Sequence, residues 1–201
     1  MKYGVLGTGM VGQAIARKLA ALGHDVPALL RALGAGRSGI GPAGDARDAL
    51  PLPGFGRCQV DVRPHLKRRK DRKLLPRAAV LAIPAARTAL GALEPGSVAL
   101  FLGVGREPAE EDTEAALVAS MAPDRTLDAT ALGGRGMALY PPLAPLKTLP
   151  NLVLAHVAIQ LGLMGEGGTR AGDGAAGLAA VIEGMHAIAE GRAEAALVGG
   201  A

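Results

Sequence analysis

The chain has few aromatic side chains, a single cysteine and no long apolar run. Phenylalanine, tyrosine and tryptophan make up 2% of its 201 residues. Its core therefore has to be aliphatic, with alanine and glycine allowing helices and strands to approach closely. Cys58 alone excludes an internal disulfide and fits a reducing, cytoplasmic location. No apolar run reaches the length that spans a bilayer, so we expect no membrane segment.

The sequence also lacks the spacing typical of a metal site or a catalytic triad. Its four histidines and one cysteine match neither zinc-ligand patterns nor the order of a serine or cysteine protease. Cys58 has no helix start or histidine close by that would activate its thiol, so we interpret it as a packing residue. We predict no metal ion.

What is present is an alternation of helical and strand-like segments. Apolar runs at residues 98–105 and 195–198 are typical of buried strands. Apolar residues at helical spacing and flanking turn signals predict further elements. The predicted helices are 78–90, 110–122, 151–161 and 178–189, with a glycine-rich turn over 162–177 and loops over 133–151. Together these segments predict an α/β fold.

One segment, residues 63–77, is strongly basic, in a chain whose formal net charge is +4. A basic run of this kind can contact nucleic acid or an acidic protein. No aromatic residue lies within it, so stacking on single-stranded nucleic acid is poorly supported. We favour a structural role, then contact with an acidic protein, and expect no nucleic acid.

A glycine motif lies near the start of the chain. A short apolar strand is predicted to enter Gly7, Gly9 and Gly12, and a helix to follow over residues 13–21. This order of strand, loop and helix is the dinucleotide-binding fingerprint. Its glycines allow a tight turn and a close approach of the backbone to a pyrophosphate.

Residues 1–26 resemble the start of NADP-dependent oxidoreductases of the type that reduce coenzyme F420. The resemblance implies a dinucleotide-binding unit, with the three glycines on the pyrophosphate and Arg31 on the 2′-phosphate of NADP. An NADP-dependent oxidoreductase is therefore one hypothesis for this chain.

The residues after Val26 oppose that hypothesis. Leu29, Leu30 and Leu33 recur at helical spacing. A helix here leaves no second strand on which to hold the ribose or its phosphate. A strand after Val26 would favour the cofactor, and a helix would favour the family described next.

Residues 22–201 resemble the N-terminal half of the β-ketoacyl synthases, which have a thiolase-like fold. Residues 22–42 are similar to the family's opening, where a strand, a helix and Gly-x-Ser-Gly-Ile follow one another. The closing stretch is similar to the segment that carries the family's nucleophilic cysteine. Its matching residues are Asn151, His156, Leu161, Gly162, Gly165, Thr169, Ala175, Ala176, Gly191, Leu197, Val198, Gly199 and Gly200.

The resemblance departs from the family at the nucleophile. Counted from Thr169, the family's cysteine falls on Gly174, which has no side chain to acylate. The two histidines that the family uses belong to its C-terminal half, and none of the four histidines here takes their positions. We therefore expect no catalytic residue. Thr169, Asp173, Gly174, Ala175 and Ala176 are predicted to form an elbow that faces a partner.

The resemblance implies a place in an acyltransferase family of fatty-acid or polyketide biosynthesis. The main hypothesis is a non-condensing homologue without a cofactor, similar to chain-length-factor subunits. It would form a cytoplasmic dimer with a ketosynthase-like subunit, or pack on the missing C-terminal half. It could contact an acyl carrier protein through the segment from Lys67 to Lys73. A third hypothesis is an inactive fusion or truncated product.

Overall fold

The protein is described by a computed structural model over residues 4–6, 30–32, 34–37, 41–42, 54–55, 60–105, 111–172 and 174–201. Its main sheet has four parallel strands in the order β1-β6-β4-β5. These are β1 (Gly4–Leu6), β4 (Val98–Val104), β5 (Gly167–Ala171) and β6 (Ala195–Gly200). A separate antiparallel pair joins β2 (Gly41–Pro42) and β3 (Gly54–Phe55).

The described helices follow the predicted alternation. They are α1 (Arg77–Leu90), α2 (Glu111–Ala119), α3 (Ala129–Ala131), α4 (Met137–Leu139), α5 (Pro145–Thr148), α6 (Pro150–Leu161) and α7 (Ala176–Ala189). A π-helical turn, Leu132–Gly136, joins α3 to α4. The 3₁₀ helices of the described residues cover Arg63–His65, Arg69–Leu74 and Pro95–Ser97. No helix in the described ranges is long and apolar enough to cross a membrane.

The two most apolar strands lie in the middle of the sheet. All residues of β4 are buried, and β6 lies between β1 and β4, with Leu197 paired to both Gly4 and Leu100. A strand with neighbours on both sides and helices on both faces has no polar surface to present, which explains its continuous apolar sequence. Both strand predictions are confirmed.

Helices cover both faces of this sheet. On one face, α1 and α6 pack against Leu100 and Leu102 of β4 in the larger apolar cluster. On the other face, α7 packs on Phe101 and Val198 through alanines and through Gly184. A Cβ atom at Gly184 would lie 2.3 Å from Val198 Cγ1. The predicted aliphatic core and close helix–strand contact are confirmed for the described residues, and so is the α/β fold.

The glycine-rich stretch over 162–177 was predicted as a turn, and this is wrong, because it contains β5. Its glycines serve close packing on β4. A Cβ atom at Gly165 would lie 2.6 Å from the Val98 carbonyl oxygen, and one at Gly168 would lie 3.3 Å from the Phe101 ring. A glycine can mark a close backbone approach as well as a turn, and the sequence alone does not distinguish the two.

The loops predicted over 133–151 are also wrong, because much of this stretch is helical. Pro145 and Pro150 each occupy the first turn of a helix, where the missing N–H costs nothing. Just before it, Asp128 caps α3 by accepting bonds from Thr130 N at 2.8 Å and Ala131 N at 3.1 Å. These prolines mark helix starts.

The remaining helix predictions hold, with shifted ends. Helices α1, α6 and α7 begin and end within two residues of their predicted limits. Helix α2 ends at Ala119, earlier than the predicted residue 122. The residues that follow form a bridge between Met121 and Leu127. Residues 30–32 and 34 are helical, as the leucine spacing after Val26 predicted.

Candidate functional site

The elbow between β5 and α7 lies where three parallel strands end. Gly172 N donates to the Val104 carbonyl oxygen over 3.1 Å, which holds the exit of β5 beside the end of β4. Ala201 N donates to Gly103 O over 2.6 Å, and Gly105 N donates to Ala201 O over 3.1 Å. The carboxyl edge of an α/β sheet is where such folds place their functional groups.

The first turn of α7 presses directly on the end of β4. A Cβ atom at Gly103 would lie 2.2 Å from the carbonyl carbon of Ala176 and 2.3 Å from Gly177 N. A Cβ atom at Gly177 would lie 3.4 Å from Gly200 Cα. Glycines in the strands and in the first turn of α7 therefore let the helix start lie on the sheet edge. This contact accounts for Gly103 without a bound phosphate.

Gly174, where the sequence predicts the missing nucleophile, is open. The residue is exposed, and a Cβ atom there would meet no atom within 4 Å. Ala175 next to it is exposed and occupies the N-cap position of α7 without a side-chain capping bond, while Ala176 is 9% exposed and packs inward. A side chain at position 174 would fit without displacing its surroundings, at the N-terminal end of a helix. The turn therefore has room for a side chain that glycine does not supply.

The structure separates Thr169 from the rest of the predicted elbow set. Thr169 is half-buried within β5 and pairs in register with Leu102. In-register partners of parallel strands share a face, so Thr169 lies on the face that α1 and α6 cover. Gly174, Ala175 and Ala176 are adjacent at the turn itself. Asp173 lies outside the described residues.

An ion pair that the sequence did not indicate ties β5 to α7. The Arg170 guanidinium donates to the Glu183 carboxylate. This bond lowers the pKa of Glu183 below its ordinary value. The two residues are thirteen positions apart and in different elements, so no local spacing predicts the pair. It holds the strand and the helix together behind the elbow.

The outward face of α7 carries a row of exposed apolar side chains next to the elbow. Leu178 is 64% exposed, Ile182 47% and Met185 56%. They lie at i, i+4 and i+7, on one side of the helix. The opposite side of α7 is buried on the sheet through Ala180, Gly184 and Ala187. A helix with apolar residues on both sides is typical of one that packs between two layers.

The basic segment contacts the body of the protein and also presents cations at the surface. Arg68 forms a salt bridge with Asp71 at 3.1 Å, and Lys67 lies against the end of α6. Every lysine and arginine of the segment has an exposed side chain: Arg63, Lys67, Arg68, Arg69, Lys70, Arg72, Lys73 and Arg77. The same segment therefore contacts the body of the protein and offers a positively charged surface to a partner.

The residues of the alternative cofactor site are only partly described. Gly7, Gly9 and Gly12 lie outside the described residues. Arg31 lies on the helical residues after Val26, and its carbonyl oxygen accepts a 3.0 Å bond from Ala35 N. Within the described ranges, no group of three histidine, cysteine, aspartate or glutamate residues could hold a metal ion.

Two solved structures share this fold. A β-ketoacyl synthase from Burkholderia phymatum STM815 is 18% identical, with a TM-score of 0.63 over 87% of this chain. The ishigamide ketosynthase/chain length factor is 20% identical, with a TM-score of 0.58 over 87% of this chain. The chain spans 42% and 47% of the lengths of these two structures. No curated protein matches the chain.

The sequence-family model of the β-ketoacyl synthase N-terminal domain matches residues 18–201 of this chain. The match covers all the elements described above from the helical residues after Val26 onward, including the elbow and its open glycine. It confirms the family that the two similar stretches predicted. The chain belongs to the β-ketoacyl synthase family, through the N-terminal domain of that family.

Proposed function

We propose that this chain is a non-condensing member of its family, a partner subunit of the chain-length-factor kind in fatty-acid or polyketide biosynthesis. The observation that carries the proposal is the open elbow at Gly174. Covalent condensation needs a thiolate at this turn to take up an acyl group. Glycine supplies none, so no acyl-enzyme can form at this position.

The packing of the elbow supports a role in shaping an acyl tunnel. Gly103 and Gly177 allow α7 to lie on the ends of the strands, although the helix start presents no nucleophile. In a subunit of this kind the elbow would form part of the wall of an acyl tunnel whose chemistry takes place in the partner. The open space at Gly174 leaves room beside the turn.

Two surfaces support a ketosynthase-like partner. The row formed by Leu178, Ile182 and Met185 on α7 is apolar and exposed, and such a row favours association with another protein layer. Strand β5 is at the edge of the described sheet, and residues at both of its ends are exposed. An edge strand offers backbone groups to a strand of another chain. One of the two similar structures is itself a ketosynthase/chain length factor.

The exposed cations of the basic segment support a second partner, an acyl carrier protein. Their charge suits an acidic surface, and charge complementarity speeds encounter.

The test is reconstitution with the condensing ketosynthases of the source organism. Each is produced with and without this chain, then supplied with malonyl and starter groups on an acyl carrier protein. We expect one ketosynthase to co-purify with the chain and to change its product length when the chain is present. Unchanged products with every ketosynthase would contradict the proposal and favour the hypothesis of an inactive product.

A separate titration addresses the alternative function. NADPH is added to the purified chain while its fluorescence is followed. We expect no saturable binding, because residues 30–32 and 34 are helical where a cofactor-binding strand would be needed. Saturable binding that is lost in Gly9→Ala would favour the oxidoreductase.

A further inference from the structure

A buried glutamine connects the basic segment to the body of the protein. Gln160, near the end of α6, is 3% exposed. Its Oε1 atom accepts a 2.7 Å bond from the backbone N–H of Lys67, and its Nε2 atom donates to Asp71 Oδ2 over 3.2 Å. One side chain therefore satisfies both the backbone and a carboxylate of the segment, 93 and 89 positions away in sequence.

Asp71 completes this connection inside the segment. It is 8% exposed and forms a salt bridge with Arg68, while its own N–H donates to Arg68 O over 3.0 Å. Because Gln160 and Arg68 both bond the carboxylate, its pKa lies below the ordinary value and it stays charged. A buried carboxylate with these partners is costly to displace.

Arg87 on α1 and the end of α6 hold the segment from a second side. The Arg87 guanidinium donates to Gln160 O over 3.0 Å and to His65 O over 3.4 Å. The ammonium of Lys67 lies 4.0 Å from where a Cβ atom of Gly162, the C-cap of α6, would be. A cation at this end of a helix is stabilised by the helix dipole.

The 3₁₀ helix Arg69–Leu74 then determines where the other cations lie. Residues three apart in such a helix share one side. Asp71 and Leu74 form the inward side, buried and half-buried. The two remaining sides carry Arg69 with Arg72 and Lys70 with Lys73, and all four are exposed.

We infer that Gln160 is a positioning residue, which fixes this 3₁₀ helix so that its four exposed cations form one preorganised surface for an acidic protein. The inference rests on the proposed acyl-carrier contact and names the residue that organises it. A surface that is ordered before binding loses less conformational entropy when its side chains form salt bridges. Without the anchor the charges would be unchanged, but their arrangement would be lost.

The experiment compares the full chain with Gln160→Met, which keeps the side-chain length and removes both hydrogen bonds. Hydrogen exchange is measured at the Lys67 amide, and affinity is measured for a purified apo acyl carrier protein. We expect exchange at Lys67 to rise at least tenfold and affinity to fall about three- to tenfold, as expected when one or two side chains must be ordered on binding. The dependence of affinity on salt should stay the same, because no charge changes.

Two arginine variants distinguish a loss of positioning from a general folding defect. Arg87→Met removes the bonds to Gln160 and His65, and Arg63→Met removes the same charge from a pair with Asp61 at the start of the segment, outside residues 67–73. We expect only Arg87→Met to raise exchange over residues 67–73 and to weaken binding beyond the loss of one charge. Equal effects of the two variants would overturn the positioning role, as would unchanged affinity in Gln160→Met with faster exchange.

A charge reversal separates this inference from the proposed contact. Arg72→Glu with Lys73→Glu should abolish binding of the carrier protein and leave exchange at Lys67 slow. If binding survives this reversal, the acyl-carrier contact itself is wrong. If the reversal abolishes binding while Gln160→Met does not weaken it, the contact stands and the positioning role fails.

Discussion

Gly103 at the end of β4 and Ala176 at the start of α7 are so close that a single methyl group on the glycine would overlap the backbone of the helix. The distance from that methyl carbon to the Ala176 carbonyl carbon would be 2.2 Å. The strand and the elbow are therefore one packed unit, and the geometry of the turn depends on a residue about seventy positions earlier. This contact gives the first prediction.

Gly103→Ala should destabilise the protein strongly, because the neighbouring atoms are backbone and cannot rotate away. Overpacking in a core usually costs about 1–3 kcal/mol, and we expect the loss in unfolding free energy to reach about 3 kcal/mol. Denaturant unfolding followed by circular dichroism measures it. The matched control is Gly105→Ala, where a Cβ atom would meet nothing within 4 Å. A Gly103→Ala protein as stable as this control would show that the elbow does not lie on β4.

Gly174→Cys should fold as stably as the parent chain, because the position is exposed and a Cβ atom there meets no neighbour. Its thiol should react with iodoacetamide, and mass spectrometry should locate the label at residue 174. Acyl transfer and condensation should not appear, because the resemblance places the family's two catalytic histidines in its other half. Turnover of malonyl groups by this single variant would contradict the proposed alignment of the elbow.

The exposed row on α7 should drive association. Ile182→Lys with Met185→Lys should lower the mass measured by light scattering and leave the melting temperature within about 2 °C, since both side chains are largely exposed. The matched control places two lysines on α2, at Leu117 and Val118, which are 53% and 68% exposed. It should leave the mass of the parent unchanged. A parent chain that is already a monodisperse monomer would remove the basis for a partner at this face.

Asp71 should make stability depend on acid pH. Its pKa is lowered in the folded protein by Gln160 first and by Arg68, so ionisation of Asp71 stabilises the fold above its unfolded pKa of about 4. That stabilisation is lost as the pH falls from about 4 through the lower folded pKa. Asp71→Asn should lower the unfolding free energy at pH 7 and flatten its slope below pH 4.

Urea unfolding at pH 7 and at several values below pH 4 measures this difference. Asp112→Asn on the exposed part of α2 serves as the control, and its profile should follow that of the parent chain. If Asp71→Asn keeps the acid slope of the parent, the stabilising bonds of Asp71 are not formed in solution.

The sequence predicted the elements that periodicity describes. Leucine and alanine at helical spacing predicted α1, α6 and α7. Continuous apolar runs predicted β4 and β6, because a strand that is buried on both faces carries apolar residues at every position. The spacing from Thr169 also predicts that the family's cysteine falls on Gly174, and this stays a prediction. These inferences needed only neighbouring residues.

Glycine and proline were harder to interpret from sequence. Gly165 and Gly168 suggested a turn but lie against β4, and Pro145 and Pro150 suggested loops but begin helices. Each residue type serves two purposes, and which one applies depends on the elements packed nearby. The tertiary structure decides this, because it supplies the neighbour.

The sequence by itself determined the family, the α/β alternation and the absence of a side chain at position 174. Only the tertiary structure decided that Gln160 would meet Lys67 and Asp71, that Arg170 would pair with Glu183, and that Gly103 would support the elbow. The physical reason is range. Helical and strand periodicities involve residues a few positions apart and can be read from the local sequence. These contacts join segments that are farther apart in sequence, and they form only once the sheet has brought those segments together.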